Sequence, residues 1–233
     1  MFIPGDSSMT LADRSQASAL ATSTRSKYAW GILAVLSGAV ALASYRYLFD
    51  RGPVPPGVAA NRHVHPWLVV HATGAATALL CGPFQFVRRL RLRHPGWHRA
   101  TGRVYVAGCM VGGVSALFLA AGISTGPVAG AGFGALGSAW MATTAIALRK
   151  VLTGQLAGHR QWMIRSFALA LSAVTLRLYL PLSAVLGLDF VMAYRTIAWL
   201  CWLPNLAVAE WLIKRHPPAV GHDAGDLEFH RPT

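Results

Sequence analysis

Two stretches of this sequence set a histidine beside an arginine and bring further arginine into the next helical turn. His98-Arg99 is followed by Gly102-Arg103, and His159-Arg160 by Met163, Ile164 and Arg165. A neutral imidazole offers a ring nitrogen to a metal, and two imidazoles facing across a helical bundle can hold a b-type haem. Guanidinium groups beside such a pair suit haem propionates, because arginine meets a carboxylate in a two-pronged fork. His98 and His159 are therefore candidate iron ligands, with Arg99, Arg103, Arg160 and Arg165 around them. The competing reading is a pair of interfacial histidines bonded to loop carbonyls or lipid head groups. The spacing alone weighs the two readings about equally.

A second group sits at the other ends of the apolar runs. His71 and Arg195 each lie about five residues inside a run, and Arg177, followed by Tyr179, lies in the outer half of another. These three can share one level. No acid lies within the outer half of any run, which points to an anionic or carbonyl-bearing ligand: a propionate, a quinone oxygen or a lipid phosphate. The alternative is that Arg177 and Arg195 snorkel, or pair with Asp189 and helix-end carbonyls. His63 and His65 stand two apart in the same outer region, but no third metal ligand accompanies them. No nucleotide-binding loop, GxSxG or HExxH is present, and no carboxylate pair falls inside an apolar run. The three cysteines, Cys81, Cys109 and Cys201, form no CxxC, so neither a thiolate metal site nor covalent c-type haem is indicated.

Composition says what must position these groups. The 233 residues are 54% hydrophobic and only 12% charged, with mean hydropathy +0.44. A soluble domain usually carries about 25% charged residues, so the chain reads as a membrane protein. The net charge is +13, with 21 Lys and Arg against eight acids. Those arginines cluster in short segments between apolar runs, as the positive-inside rule requires, and nucleic acid is not an expected partner.

Six apolar segments follow one another, each of about 19–24 residues and able to cross about 30 Å of hydrocarbon. They run from about Ala29 to Phe49, Pro66 to Val87, Val104 to Ser124, Gly130 to Leu148, Trp162 to Leu186 and Phe190 to Ile213. Only helices can satisfy their backbone in lipid, so the expected fold is an all-α bundle of six transmembrane helices. The boundaries are a flexible tail over 1–27, a membrane domain over 28–215 and a flexible tail over 216–233. Pro181 is expected to kink the fifth helix. Arg25, Lys27, Arg88 to Arg103, Arg149, Lys150, Arg160, Lys214 and Arg215 all fall on one side of an alternating topology. That side, and both termini with it, is expected to be cytoplasmic. The segments two–three and four–five form two like helical pairs, which places His98 and His159 near a pseudo-twofold axis. Glu210 is the candidate partner of Arg103 or Arg165.

A set of these residues resembles the membrane-protein family known as domain of unknown function 2306. The resemblance rests on His71-xx-Gly74, Gly82-Pro83-Phe84-Gln85-Phe86 and His98-Arg99-xx-Gly102-Arg103. It continues through Trp140, His159-Arg160-xx-Met163-Ile164-Arg165-Ser166, Leu176-Arg177, Asn205 and Glu210. It covers about residues 66 to 213 and implies a multi-pass membrane protein with no assigned activity. The layout is more loosely similar to b-type haem transmembrane reductases, although His71 lacks the partner histidine those proteins show.

The function expected from the residues is membrane electron transfer. Haem b would bind at His98 and His159, and quinone or a second haem near His71, in a bacterial cell membrane. A metal or cofactor assembly factor for a respiratory complex is one alternative. A lipid- or isoprenoid-binding protein or enzyme that uses Arg177 and Arg195 is the other. Membrane lipids and a redox partner are the expected partners.

Overall fold

The computed structural model describes residues 11–49, 54 and 56–215, with side chains from Lys27 onward. Every regular element among them is helical. The first is α1, Leu11–Ser44, which continues into a 3-10 turn at Tyr45–Phe49. A short α2, Pro56–Ala59, leads to α3, Val64–Gln85. The basic segment forms α4, Arg88–Arg93, and then α5, Pro95–Ala121. α6, Pro127–Leu152, is followed by α7, Leu156–Ala170, and α8, Ser172–Val185. The last two are α9, Phe190–Leu200, and α10, Leu203–Arg215.

Six helical segments are long and apolar enough to cross a membrane, namely Lys27–Phe49, Val64–Gln85, Pro95–Ala121, Pro127–Leu152, Leu156–Val185 and Phe190–Arg215. The six expected spans are thus present, with shifted edges. The third begins at Pro95, not near Val104, so His98, Arg99 and Arg103 ride on a helix. Proline suits this start because its missing N–H is one the first helical turn leaves unpaired anyway. Of the expected N-terminal tail, residues 1–10 lie outside the described residues, and Leu11 to Lys27 carry helical backbone continuous with the first span. The expected C-terminal tail, 216–233, lies outside the described residues.

Four helices make the frame. α5 packs on α3 and on α6, and α7 packs on α6 and on α3. α5 and α7 therefore stand at opposite corners of a square. α1 lies against α3, α9 against α6, and α10 against α7. The α3–α5 contact is the closest, because glycine lets two backbones touch. A Cβ built at Gly74 would meet Gly112 N at 2.7 Å, and one at Gly108 would meet Gly74 O at 2.8 Å and Ala78 N at 3.1 Å. The antiparallel register is then fixed. Gly74 faces Gly112, Ala78 faces Gly108, and Gln85 reaches Thr101 with a 2.9 Å hydrogen bond from Nε2 to Oγ1.

The last two spans are each broken in two. In the sixth, Pro204 has no N–H to give the Leu200 carbonyl, so the helix stops and restarts with Pro204 as the second residue of α10. The Cys201 carbonyl freed there accepts from the Thr175 hydroxyl and from Asn205 Nδ2 at 3.1 Å. This is how a membrane interior tolerates a gap in its backbone ladder. In the fifth span the break falls at Leu171, and α8 runs through Pro181 without interruption. The expected proline kink is thus displaced by ten residues. Thr175, one turn after the break, gives its single hydroxyl hydrogen to the Cys201 carbonyl, so the gap in the fifth span is tied to the gap in the sixth.

Candidate functional site: an imidazole pair and a hydroxyl chain between opposite helices

His98 on α5 and His159 on α7 are brought together by the diagonal of the square. The two helices touch where Tyr105 Oη meets Ser166 Oγ at 2.8 Å. Tyr105 is seven residues after His98, and Ser166 is seven after His159. Seven residues are nearly two full turns, so each histidine lies on the same face as its contact residue, about 10 Å nearer the basic end. His98 and His159 stand within electrostatic range of each other, and Arg91 is also near His98.

The ring nitrogens are not equivalent. His159 Nδ1 lies 2.8 Å from the Ala147 carbonyl on α6. A carbonyl only accepts, so Nδ1 carries the proton and Nε2 holds the free lone pair. His98 presents a buried Nδ1 with no hydrogen-bond partner. Two imidazoles thus lie within electrostatic range on the diagonal helices, one oriented by a backbone carbonyl and one with an unpaired nitrogen. Among the described residues no group of three or more His, Cys, Asp or Glu could hold a metal ion.

The arginines divide. Arg165 forks onto Glu210, with Nη2 to Oε2 at 2.9 Å and Nε to Oε1 at 2.5 Å, and its guanidinium lies over the Trp162 ring at 4.6 Å. Of the two partners expected for Glu210, the structure selects Arg165. Arg165 stands six residues after His159, whereas Arg103 stands five after His98, and one residue turns a helix by about 100°. The two are therefore not counterparts, and Arg165 faces α10 instead of the seam. Arg99, Arg103 and Arg160 are exposed and form no ion pair among the described residues.

Between the histidines and the middle of the bundle lies a buried hydroxyl chain that the sequence did not reveal. Thr144 Oγ1 lies 2.7 Å from Ser166 Oγ and 2.7 Å from the Trp140 carbonyl. Because that carbonyl takes the Thr144 hydrogen, Ser166 must donate to Thr144, and Tyr105 must donate to Ser166. The chain has one direction, Tyr105 to Ser166 to Thr144 to Trp140 O, and all three hydroxyl residues are 0% exposed. Trp140 Nε1 is buried without a partner beside it. Each residue alone reads as helix filler in the sequence; only the register of α5, α6 and α7 makes them neighbours.

At the other end of the bundle the expected trio separates. His71 Nδ1 lies 2.9 Å from the Gly112 carbonyl, which again leaves Nε2 as an acceptor. Extending the α3–α5 register puts His71 level with Ser115, and extending the α5–α7 register puts Arg177 level with Ala116. His71 and Arg177 share that level and lie within electrostatic range. Arg195 does not join them. Its Nε donates at 2.7 Å to the Thr125 carbonyl in the turn between α5 and α6. His63 has a structural task as well. Its Nδ1 donates to Phe118 O at 2.9 Å while Asn61 Nδ2 donates to Leu119 O at 2.7 Å, and together they satisfy the last carbonyls of α5. His65 is exposed and makes no such contact.

The motifs that carry the family resemblance are packing devices around the seam. Gly82 leaves room for the Phe167 ring, which also meets Phe86 at 5.4 Å between centroids. Gln85 fixes the start of α5 through Thr101, and its Oε1 would lie 3.2 Å from a Cβ at Gly102. No curated protein and no solved structure matches the chain. A family model described as predicted membrane protein (DUF2306) matches residues 68–213. That range holds the whole four-helix frame apart from the first turn of α3, and it is well over half of the chain, which therefore belongs to the DUF2306 family of predicted membrane proteins.

Proposed function

We propose that this protein is a membrane electron-transfer protein that holds haem b between His98 and His159. The observation that carries this reading is the pair of imidazoles on the two diagonal helices, one fixed by the Ala147 carbonyl and the other with an unpaired buried Nδ1. Two nitrogen ligands without a third suit an iron whose other four positions a macrocycle fills; a structural zinc site would need four protein ligands. When bound, the haem supplies one-electron redox chemistry. The chain's own residues do the rest. His98 and His159 ligate, Ala147 O orients the His159 ring, and Gln85 with Thr101 anchors the turn that carries His98. Arg91, Arg99, Arg103 and Arg160 offer guanidinium donors to propionates at the rim. The same cations support a topology with the basic end and both termini on the cytoplasmic side of a bacterial cell membrane.

The test is an absorption spectrum of protein purified from haem-replete cells. A Soret band that shifts on reduction, and is lost in both His98→Ala and His159→Ala, is the expected result. Colourless wild-type protein overturns the proposal.

A further inference from the structure

We infer that His71 and Arg177 form a second site, for the ring of a membrane quinol, in the half of the bundle away from the basic end. The site goes beyond the imidazole-pair reading and shares no residue with it. Along α5 the two levels, His98 and Ser115, are separated by 17 positions, about 25 Å of helix.

The chemistry of the two side chains defines the ligand. His71 commits its Nδ1–H to the Gly112 carbonyl, so Nε2 can only accept. No described residue donates to it. Arg177 can only donate. Its Nη1 bonds Ala173 O at 3.0 Å and its Nη2 bonds Ser44 Oγ at 2.8 Å. Ser44 in turn gives its hydrogen to Val40 O at 2.7 Å, so it is a committed acceptor that pins the guanidinium. The Nε–H and one hydrogen on each terminal nitrogen remain for a ligand. No carboxylate among the described residues bonds Arg177. Among the described residues the acid at this end is Asp189, which caps α9 by accepting from Met192 N at 2.9 Å, and Asp50 lies outside the described residues. An arginine held below a helix end without a counter-charge is costly unless something binds it.

The ligand must therefore present an O–H to His71 and an oxygen lone pair to Arg177 at once. A phosphodiester or a fatty carboxylate offers acceptors only, and leaves His71 Nε2 unmatched. A hydroquinone ring offers both. Depth agrees. His71 lies five residues beyond Pro66, where the regular helix of α3 begins, about 8 Å deep, and Arg177 is exposed on the outer surface of α8. A ring carried on an apolar tail reaches that level directly from the bilayer.

The experiment uses the full chain in nanodiscs free of quinone and measures anaerobic binding of decylubiquinol, its dimethyl ether and phosphatidylmethanol, an anionic phosphodiester without a free hydroxyl. Saturable quinol binding is expected, at least tenfold tighter than that of the ether, which lacks the O–H. His71→Phe and Arg177→Met should each weaken it at least tenfold, while the distant Arg93→Ala leaves it unchanged. Equal binding of quinol and ether overturns the proposal. So does wild-type affinity in both variants, or a dependence on His71 and Arg177 seen with phosphatidylmethanol and not with quinol. If a variant fails to fold, the comparison of quinol with ether on the unmodified chain decides. The haem band is read separately on the same sample, so the failure of either reading is visible without the other.

Discussion

Replacing Ser166 with alanine tests the direction of the buried hydroxyl chain. Ser166 accepts from Tyr105 and donates to Thr144, and all three residues are 0% exposed. Alanine leaves the Tyr105 hydrogen with only the weak sulfur acceptor of Cys109 beside it, at a cost of about 1–3 kcal/mol. The second lost bond adds about 0.6 kcal/mol, the mean for interhelical hydrogen bonds in a membrane. The expected total is about 2–4 kcal/mol. Thr144→Val removes only the acceptor of Ser166, whose hydroxyl can turn back to its own helix, so about 1 kcal/mol is expected. Tyr105→Phe removes a donor and leaves nothing worse than an unfilled lone pair on Ser166, at under about 1 kcal/mol. The assay is reversible unfolding of the purified protein by dodecyl sulfate in mixed micelles, followed by far-ultraviolet circular dichroism. The ranking is the test: a Tyr105→Phe loss equal to or larger than that of Ser166→Ala refutes the assigned direction.

Two further substitutions probe the frame by the same assay. Gly108→Leu puts a Cβ against the backbone of Gly74 and Ala78, so α3 and α5 must part, and a loss of about 1–3 kcal/mol is expected; an unchanged midpoint would contradict the close approach. Glu210→Gln removes the forked partner of Arg165, and because Glu210 is 38% exposed the expected loss is about 1 kcal/mol. A double-mutant cycle with Arg165→Met should show coupling of that size, and zero coupling would mean the pair contributes nothing to stability.

Much of the frame is legible in the sequence because hydropathy and length report it directly. Six apolar segments, the small residues at Gly74, Gly108 and Gly112, and the like surroundings of His98 and His159 all follow from spacing within one helix. The pairing of Glu210 with an arginine is legible for the same reason: a lone acid in a basic region has few choices. What stays hidden depends on register between helices. Arg195 and His71 lie equally deep by counting, yet the turn before α6 carries the Thr125 carbonyl up to meet Arg195 first. Tyr105, Thr144 and Ser166 have no sequence pattern in common, and only the α5–α6–α7 contacts join them. The break at Leu171 is equally obscure, since no proline marks it.

The two helix breaks have a mechanical consequence. Thr175 belongs to the restarted half of the fifth span, and Asn205 to the restarted half of the sixth. Both hold one carbonyl, that of Cys201, at the interruption between α9 and α10. A bend at one gap therefore pulls on the other, so the two spans flex as a single jointed panel. The α3–α5 pair, with backbone against backbone, has no such joint. The protein is built as a stiff post that carries His71 and His98, beside a panel that carries His159 below its joint and Arg177 above it. A bend at that joint moves Arg177 relative to His71 and leaves His159, below it, with the frame.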